Sequence, residues 1–115
     1  MYRMLRRVEA KPYETWPGVT RRALALGEKI LLLEISLKKG AVAPAHSHPN
    51  EQSGYIVRGR LRIRIGDETH ELNPGDAYII PPDVEHEARA LEDTVVVEVF
   101  SPPHELLKKD LTGEV

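Results

Sequence analysis

The chain reads as an all-β protein, a sandwich or barrel of short strands. Three observations predict this. Apolar residues alternate with polar ones over short segments, Gly and Pro turns separate those segments at regular spacing, and no helical period is sustained before the C-terminal end. At 115 residues the chain makes one domain around one core, because a chain this long buries about two-thirds of its unfolded surface. The spacing divides it into an extended arm over 1–18, a barrel over 19–103 and a tail over 104–115.

The arm carries Pro12, Trp16 and Pro17 and no helical period. Val19 to Leu26 and Ile30 to Leu37 are strands joined by the hairpin loop Gly27-Glu28-Lys29. In the second strand Leu31, Leu33, Ile35 and Leu37 share one face, the core face. Glu51 to Arg58 is the next strand after a polar, histidine-bearing stretch, and it turns at Gly59 into Arg60-Leu61-Arg62-Ile63-Arg64-Ile65. There Leu61, Ile63 and Ile65 point to the core, while Arg60, Arg62 and Arg64 form a solvated outer face balanced by Glu68 and Glu71. Gly66-Asp67-Glu68 makes a hairpin to Thr69–Leu72, and Asn73-Pro74-Gly75-Asp76 is a tight turn, with proline presetting one turn angle and glycine accepting positive φ. Ala77 to Ile80 is a short buried strand ended by Pro81-Pro82, which cannot donate to a ladder. Strands follow over His86–Ala90 and Thr94–Ser101. After Pro102-Pro103, Glu105 to Leu111 coils into one or two helical turns.

The stretch from Gly40 to Gly59 carries the chemistry. His46 and His48 alternate along an extended backbone, so both imidazoles leave it on one side, and Gln52 keeps the same parity. Glu51 has the opposite parity and joins them only through a bulge. His86 is the fourth candidate. Three imidazoles and an amide oxygen suit one divalent transition metal, Zn, Ni, Fe, Co or Mn, better than Ca or Mg. His70, beside the hairpin, and His104, after Pro102-Pro103, are expected to be solvated.

These residues resemble the two motifs of the cupin superfamily. The first motif is matched by Gly40, His46, His48 and Gly59, with Gln52 at its glutamate position. The second is matched by Gly75, Pro81 and His86, with Asp83 in place of a glycine and Ala90 in place of an asparagine. The resemblance implies a double-stranded β-helix, a jelly-roll barrel with the four ligands inside it, and it implies a homodimer. It also implies that Trp16 either anchors the arm to a neighbouring subunit or covers one sheet of its own. Because all four ligands are neutral, the bound cation keeps its charge, favours an anionic or keto ligand and suits Lewis-acid chemistry.

The segments His46-Ser47-His48-Pro49, Glu51-Gln52, Ala90-Leu91-Glu92-Asp93 and Phe100-Ser101-Pro102-Pro103 are similar to the small cupins of pectin and alginate breakdown. Those enzymes convert 4,5-unsaturated monouronates into linear keto acids. The resemblance implies a small anionic partner, a sugar acid, with Glu98 moving a proton and Phe100 shaping the pocket floor or stacking on the sugar. The related enzymes carry Asp where this chain has Glu98. Arg58 and Arg60 are further candidates for the substrate carboxylate. Two other readings come with the same fold: an Fe- or Ni-dependent dioxygenase of the quercetinase-like type, and a non-catalytic metal- or ligand-binding cupin.

Composition excludes other classes. Sixteen Lys and Arg against eighteen Asp and Glu give a net charge of −2, so no basic field exists to draw in nucleic acid. With no cysteine, disulfides and thiolate chemistry are absent, in keeping with a reducing cytoplasm. The basic N-terminal residues lead into no apolar signal region, and no apolar run approaches the ~20 residues that span a bilayer.

Overall fold

The computed structural model describes residues 4–113. Ten strands form two antiparallel sheets that face each other. They are β1 (Pro12–Trp16), β2 (Val19–Leu26), β3 (Leu31–Leu37), β4 (Val42–His46), β5 (Glu51–Arg58), β6 (Leu61–Ile65), β7 (Glu68–Leu72), β8 (Ala77–Ile80), β9 (His86–Ala90) and β10 (Thr94–Ser101). The six-stranded sheet has the order β1-β2-β3-β10-β5-β8, and the four-stranded sheet β4-β9-β6-β7. A 3-10 turn over Arg7–Glu9 precedes β1, and the short helix α1 (Lys109–Thr112) follows β10. Among the described residues no helix is long and apolar enough to cross a membrane.

Alternation along the strands decides which side chains fill the space between the sheets. Val19, Leu37, Ile56, Leu61, Ile63, Ile80, Ala90 and Val96 make the main cluster, and Ala23, Leu31, Leu33 and Phe100 make a second one under Leu107 and Leu111 of the tail. Each fully buried Leu or Ile here contributes roughly 1.5–3 kcal/mol relative to exposure. The alternation expected for β3 and β6 is therefore the one observed.

Four expectations are adjusted, the first being that β8, expected to be buried, is an edge strand with Ala77 and Ile79 exposed. The six-stranded sheet begins at Pro12, within the expected arm, because β1 pairs with β2 in antiparallel register from Pro12↔Arg22 to Trp16↔Val19. Pro12 is tolerated as the first residue of an edge strand, which is why it does not prevent pairing. The helix in the tail is only Lys109–Thr112, while Glu105–Lys108 forms turns. On the outer face of β6, Arg60 and Arg62 both pair with Glu71, but Arg64 reaches Glu85 and Glu87 across to β9, and Glu68 lies 3.6 Å from His70 instead.

Two motif positions have a backbone reason. Gly59 has φ +92°, and a Cβ there would lie 2.3 Å from the Asp93 carbonyl oxygen and 2.5 Å from Thr94 Oγ1, so the β5–β6 turn closes only around a glycine. Asp83 stands where the motif has glycine and keeps the left-handed conformation with φ 66°, which Asp tolerates better than most side chains.

Candidate metal centre

His46 ends β4 and is paired with His86 at the start of β9, so two imidazoles hang side by side from the four-stranded sheet with ring centroids 4.3 Å apart. His48 follows in the loop after β4. The Asp83 amide donates to its carbonyl at 2.8 Å, which ties this loop to the one carrying His86. The His48 ring lies 5.0 Å from His86 and 5.7 Å from His46, and candidate ligand atoms of the three lie within 4.8 Å of one another.

In each ring Nδ1 faces a backbone carbonyl two residues away: Pro44 for His46 (2.7 Å), Asn50 for His48 (3.1 Å) and Val84 for His86 (2.9 Å). A carbonyl only accepts, so Nδ1 carries the proton and Nε2 presents a lone pair. The His86 Nε2 is buried with no partner among the described residues, and His48 Nε2 faces Gln52 Oε1, a second acceptor, at 2.9 Å. An orphaned buried nitrogen and two opposed lone pairs are costly unless a cation accepts them. Backbone carbonyls orient all three rings as they do in metal sites. Burial, with His46 and His48 nearby, holds the His86 pKa below its ordinary value, which favours the neutral, ligating form. The three histidines are thus a site that could hold a metal ion.

Gln52 arrives from the opposite side. The backbone is not continuously extended from His46 to Gln52, as parity counting assumed, because the Pro49-Asn50 turn breaks it and β5 belongs to the other sheet. Gln52 nevertheless points inward and is 6% exposed, while Glu51 faces solvent. Its Nε2 donates to Glu98 Oε2 at 2.5 Å, and this carboxylate acceptor turns Oε1 towards His48.

Glu98 lies on β10 in the middle of the six-stranded sheet, on the same face as Val96 and Phe100. Burial raises its pKa, opposed by donated bonds from Tyr78 and Gln52. The Tyr78 hydroxyl donates to the same Oε2, and burial, together with the nearby carboxylate, pushes its own pKa well up, so it remains a donor. Phe100 packs edge-on to His48 at 5.3 Å. All of these side chains line one cavity of about 550 Å³ between the sheets.

Trp16 stacks 5.2 Å from His46 at the cavity wall, an intramolecular cover. His104, expected in solvent, is half-buried in the cavity wall instead, 5.6 Å from His48 and 5.5 Å from Phe100, and burial lowers its pKa. The turn after Pro102-Pro103 brings the tail back over the barrel, and Nδ1 of His104 accepts the amides of Leu106 and Leu107. His70 is exposed as expected. Arg58 and Arg60 are exposed and line no part of this cavity. Tyr78 carries no signal in the sequence beyond its place in a strand, because its meeting with Glu98 depends on strand order, which no local pattern carries.

Known proteins share this fold. The chain is 28% identical over 91 residues to the pectin degradation protein KdgF of Dickeya dadantii, a match covering 77% of this chain and 83% of that one. The structure of KdgF from Halomonas sp. superposes with a TM-score of 0.87 at 29% identity, covering 93% of this chain and 99% of the other. An RmlC-like cupin from Shewanella frigidimarina shows the same fold, with a TM-score of 0.87 at 23% identity over 93% of this chain and 96% of its own. Residues 33–101 match the Cupin_2 family, the cupin domain. That match runs from β3 to the end of β10 and takes in the three histidines, Gln52 and Glu98, and the chain accordingly belongs to the cupin domain family.

Proposed function

We propose that this protein converts a 4,5-unsaturated monouronate, or a related sugar acid, into its linear keto form. The observation that carries the reading is the Gln52 amide, which faces His48 with its oxygen and holds the Glu98 carboxylate with its nitrogen. It sets an acid beside a cation site within one cavity. The likeness to a pectin degradation protein supports the substrate class.

His46, His48, His86 and Gln52 would hold one divalent transition metal, which would supply Lewis-acid polarisation to an anionic sugar bound in the same cavity. Glu98, its pKa raised by burial, delivers a proton to the carbon end of the enol-ether double bond. Water adds to the carbon bearing the ring oxygen, and a proton from that water returns to Glu98. The resulting hemiketal then opens: its bond to the ring oxygen breaks, the hydroxyl proton passes to that oxygen, which leaves as a hydroxyl on the anomeric carbon, and the carbon it leaves becomes a ketone. Phe100 and Trp16 supply apolar wall against the sugar ring and exclude bulk water. The exposed Tyr55, Val57 and Ile79 on the six-stranded sheet and its edge support a homodimer as the working form, and the lack of cysteine suits action in the cytoplasm.

The metal-loaded protein incubated with alginate- or pectin-lyase products should remove the absorbance of the conjugated 4,5-double bond. Unchanged absorbance with a full complement of metal, accompanied by oxygen uptake on a flavonol, would replace this reading with a dioxygenase.

A further inference from the structure

Tyr78, Gly54 and Glu98 form one row across three adjacent strands. Register places Gly54 of β5 opposite Tyr78 of β8 on one side and opposite Glu98 of β10 on the other. A Cβ at Gly54 would lie 2.1 Å from Tyr78 Cζ and 2.3 Å from its hydroxyl oxygen. The glycine is not needed for a positive φ, since it has none; it is needed for space. Across that bare piece of backbone the phenol reaches the far strand and donates to Glu98 Oε2. Gln52 Nε2 donates to the same oxygen, so among the described residues both fixed donors fall on Oε2 and none on Oε1.

We propose that Gly54 and Tyr78 are a positioning pair for Glu98. Gly54 is the slot, Tyr78 is the pin, and together with Gln52 they reserve Oε1 as the oxygen that exchanges a proton with a bound molecule. This rests on the reading of Glu98 as the proton-transferring group. The Tyr78 proton is committed to Glu98 Oε2, so the hydroxyl's part is to hold the carboxylate. A ring that merely packed over the bare backbone would need the glycine but not the hydroxyl, which is the atom that reaches Glu98.

The test uses Tyr78→Phe, which keeps the ring in its slot and removes one oxygen, and Gly54→Ala, which keeps the hydroxyl and removes the slot. In the uronate assay both should lower kcat by about 10- to 100-fold, the effect of losing a hydrogen bond to a charged group. KM should stay within about threefold and metal stoichiometry should be unchanged. In ligand-free protein, the infrared carboxyl band that Glu98→Gln removes should shift in both variants. Normal kcat and an unmoved band in Tyr78→Phe overturn the pairing, whatever happens to Gly54→Ala. Full turnover in Glu98→Gln overturns the role of Glu98 instead, and the infrared shift still reports the pairing where no uronate is consumed.

Discussion

Glu98 explains why position 52 is an amide. An acid at position 52 would set two carboxylate oxygens against each other at the 2.5 Å now spanned by an amide N–H, and both could not stay ionised in a buried site. Gln52→Glu should therefore keep or tighten metal binding and lower turnover at least ~100-fold, by elemental analysis and the absorbance assay together. His48→Ala and His86→Ala should each lose most of the metal while circular dichroism stays that of the parent, and full stoichiometry in either would remove that residue from the ligand set. The histidines were legible because a two-residue spacing and two motifs are local facts. His104 was not, since its place depends on the direction the chain takes after Pro103, and Tyr78 was not, since its partner lies two strands away.

Among the elements, the strands were the most legible, because binary alternation survives in the structure. β10, expected over Thr94–Ser101, is found there, paired with β3 and β5 and with Val96 and Phe100 buried on the face that bears Glu98. β1 escaped notice because two prolines and a tryptophan within six residues break any alternation, yet an edge strand needs only one side paired. The β5–β6 turn makes a sharper claim. Gly59→Ala should destabilise the protein by about 2 to 5 kcal/mol, combining left-handed strain with overlap on Asp93 and Thr94, as read from chemical denaturation. On β7, the bond from Arg62 and the charge of Arg60 hold the Glu71 pKa below its ordinary 4.5. Its folded pKa being depressed, its contribution is present above 4.5 and is lost as pH falls through the lower folded value. Glu71→Gln should accordingly melt slightly lower than the parent at neutral pH, and the two curves should converge in acid.

For the whole molecule, the sandwich is a scaffold that brings two sheets to one cavity. Metal that binds the folded chain alone adds stability by mass action, about 2.7 kcal/mol when its free concentration is 100 times Kd. Thermal melts with and without chelator should differ by several degrees, and His86→Ala should abolish the difference. The fold class and the single domain followed from alternation and length. The cavity did not, because its walls come from both sheets and from a tail whose Asp110 is clasped by Arg21 of β2 at 2.7 Å.

His46 and His86 hang from one layer, whereas Gln52 and Glu98 stand on the other. An ion gripped from both sides would act as a rivet through the sandwich, and its separation from the proton source would be set by the thickness of hydrophobic filling between the layers. Swapping a methylene at Ile56 or Val96, neither of which lines the cavity, would then retune reactivity from a distance by widening or narrowing that gap.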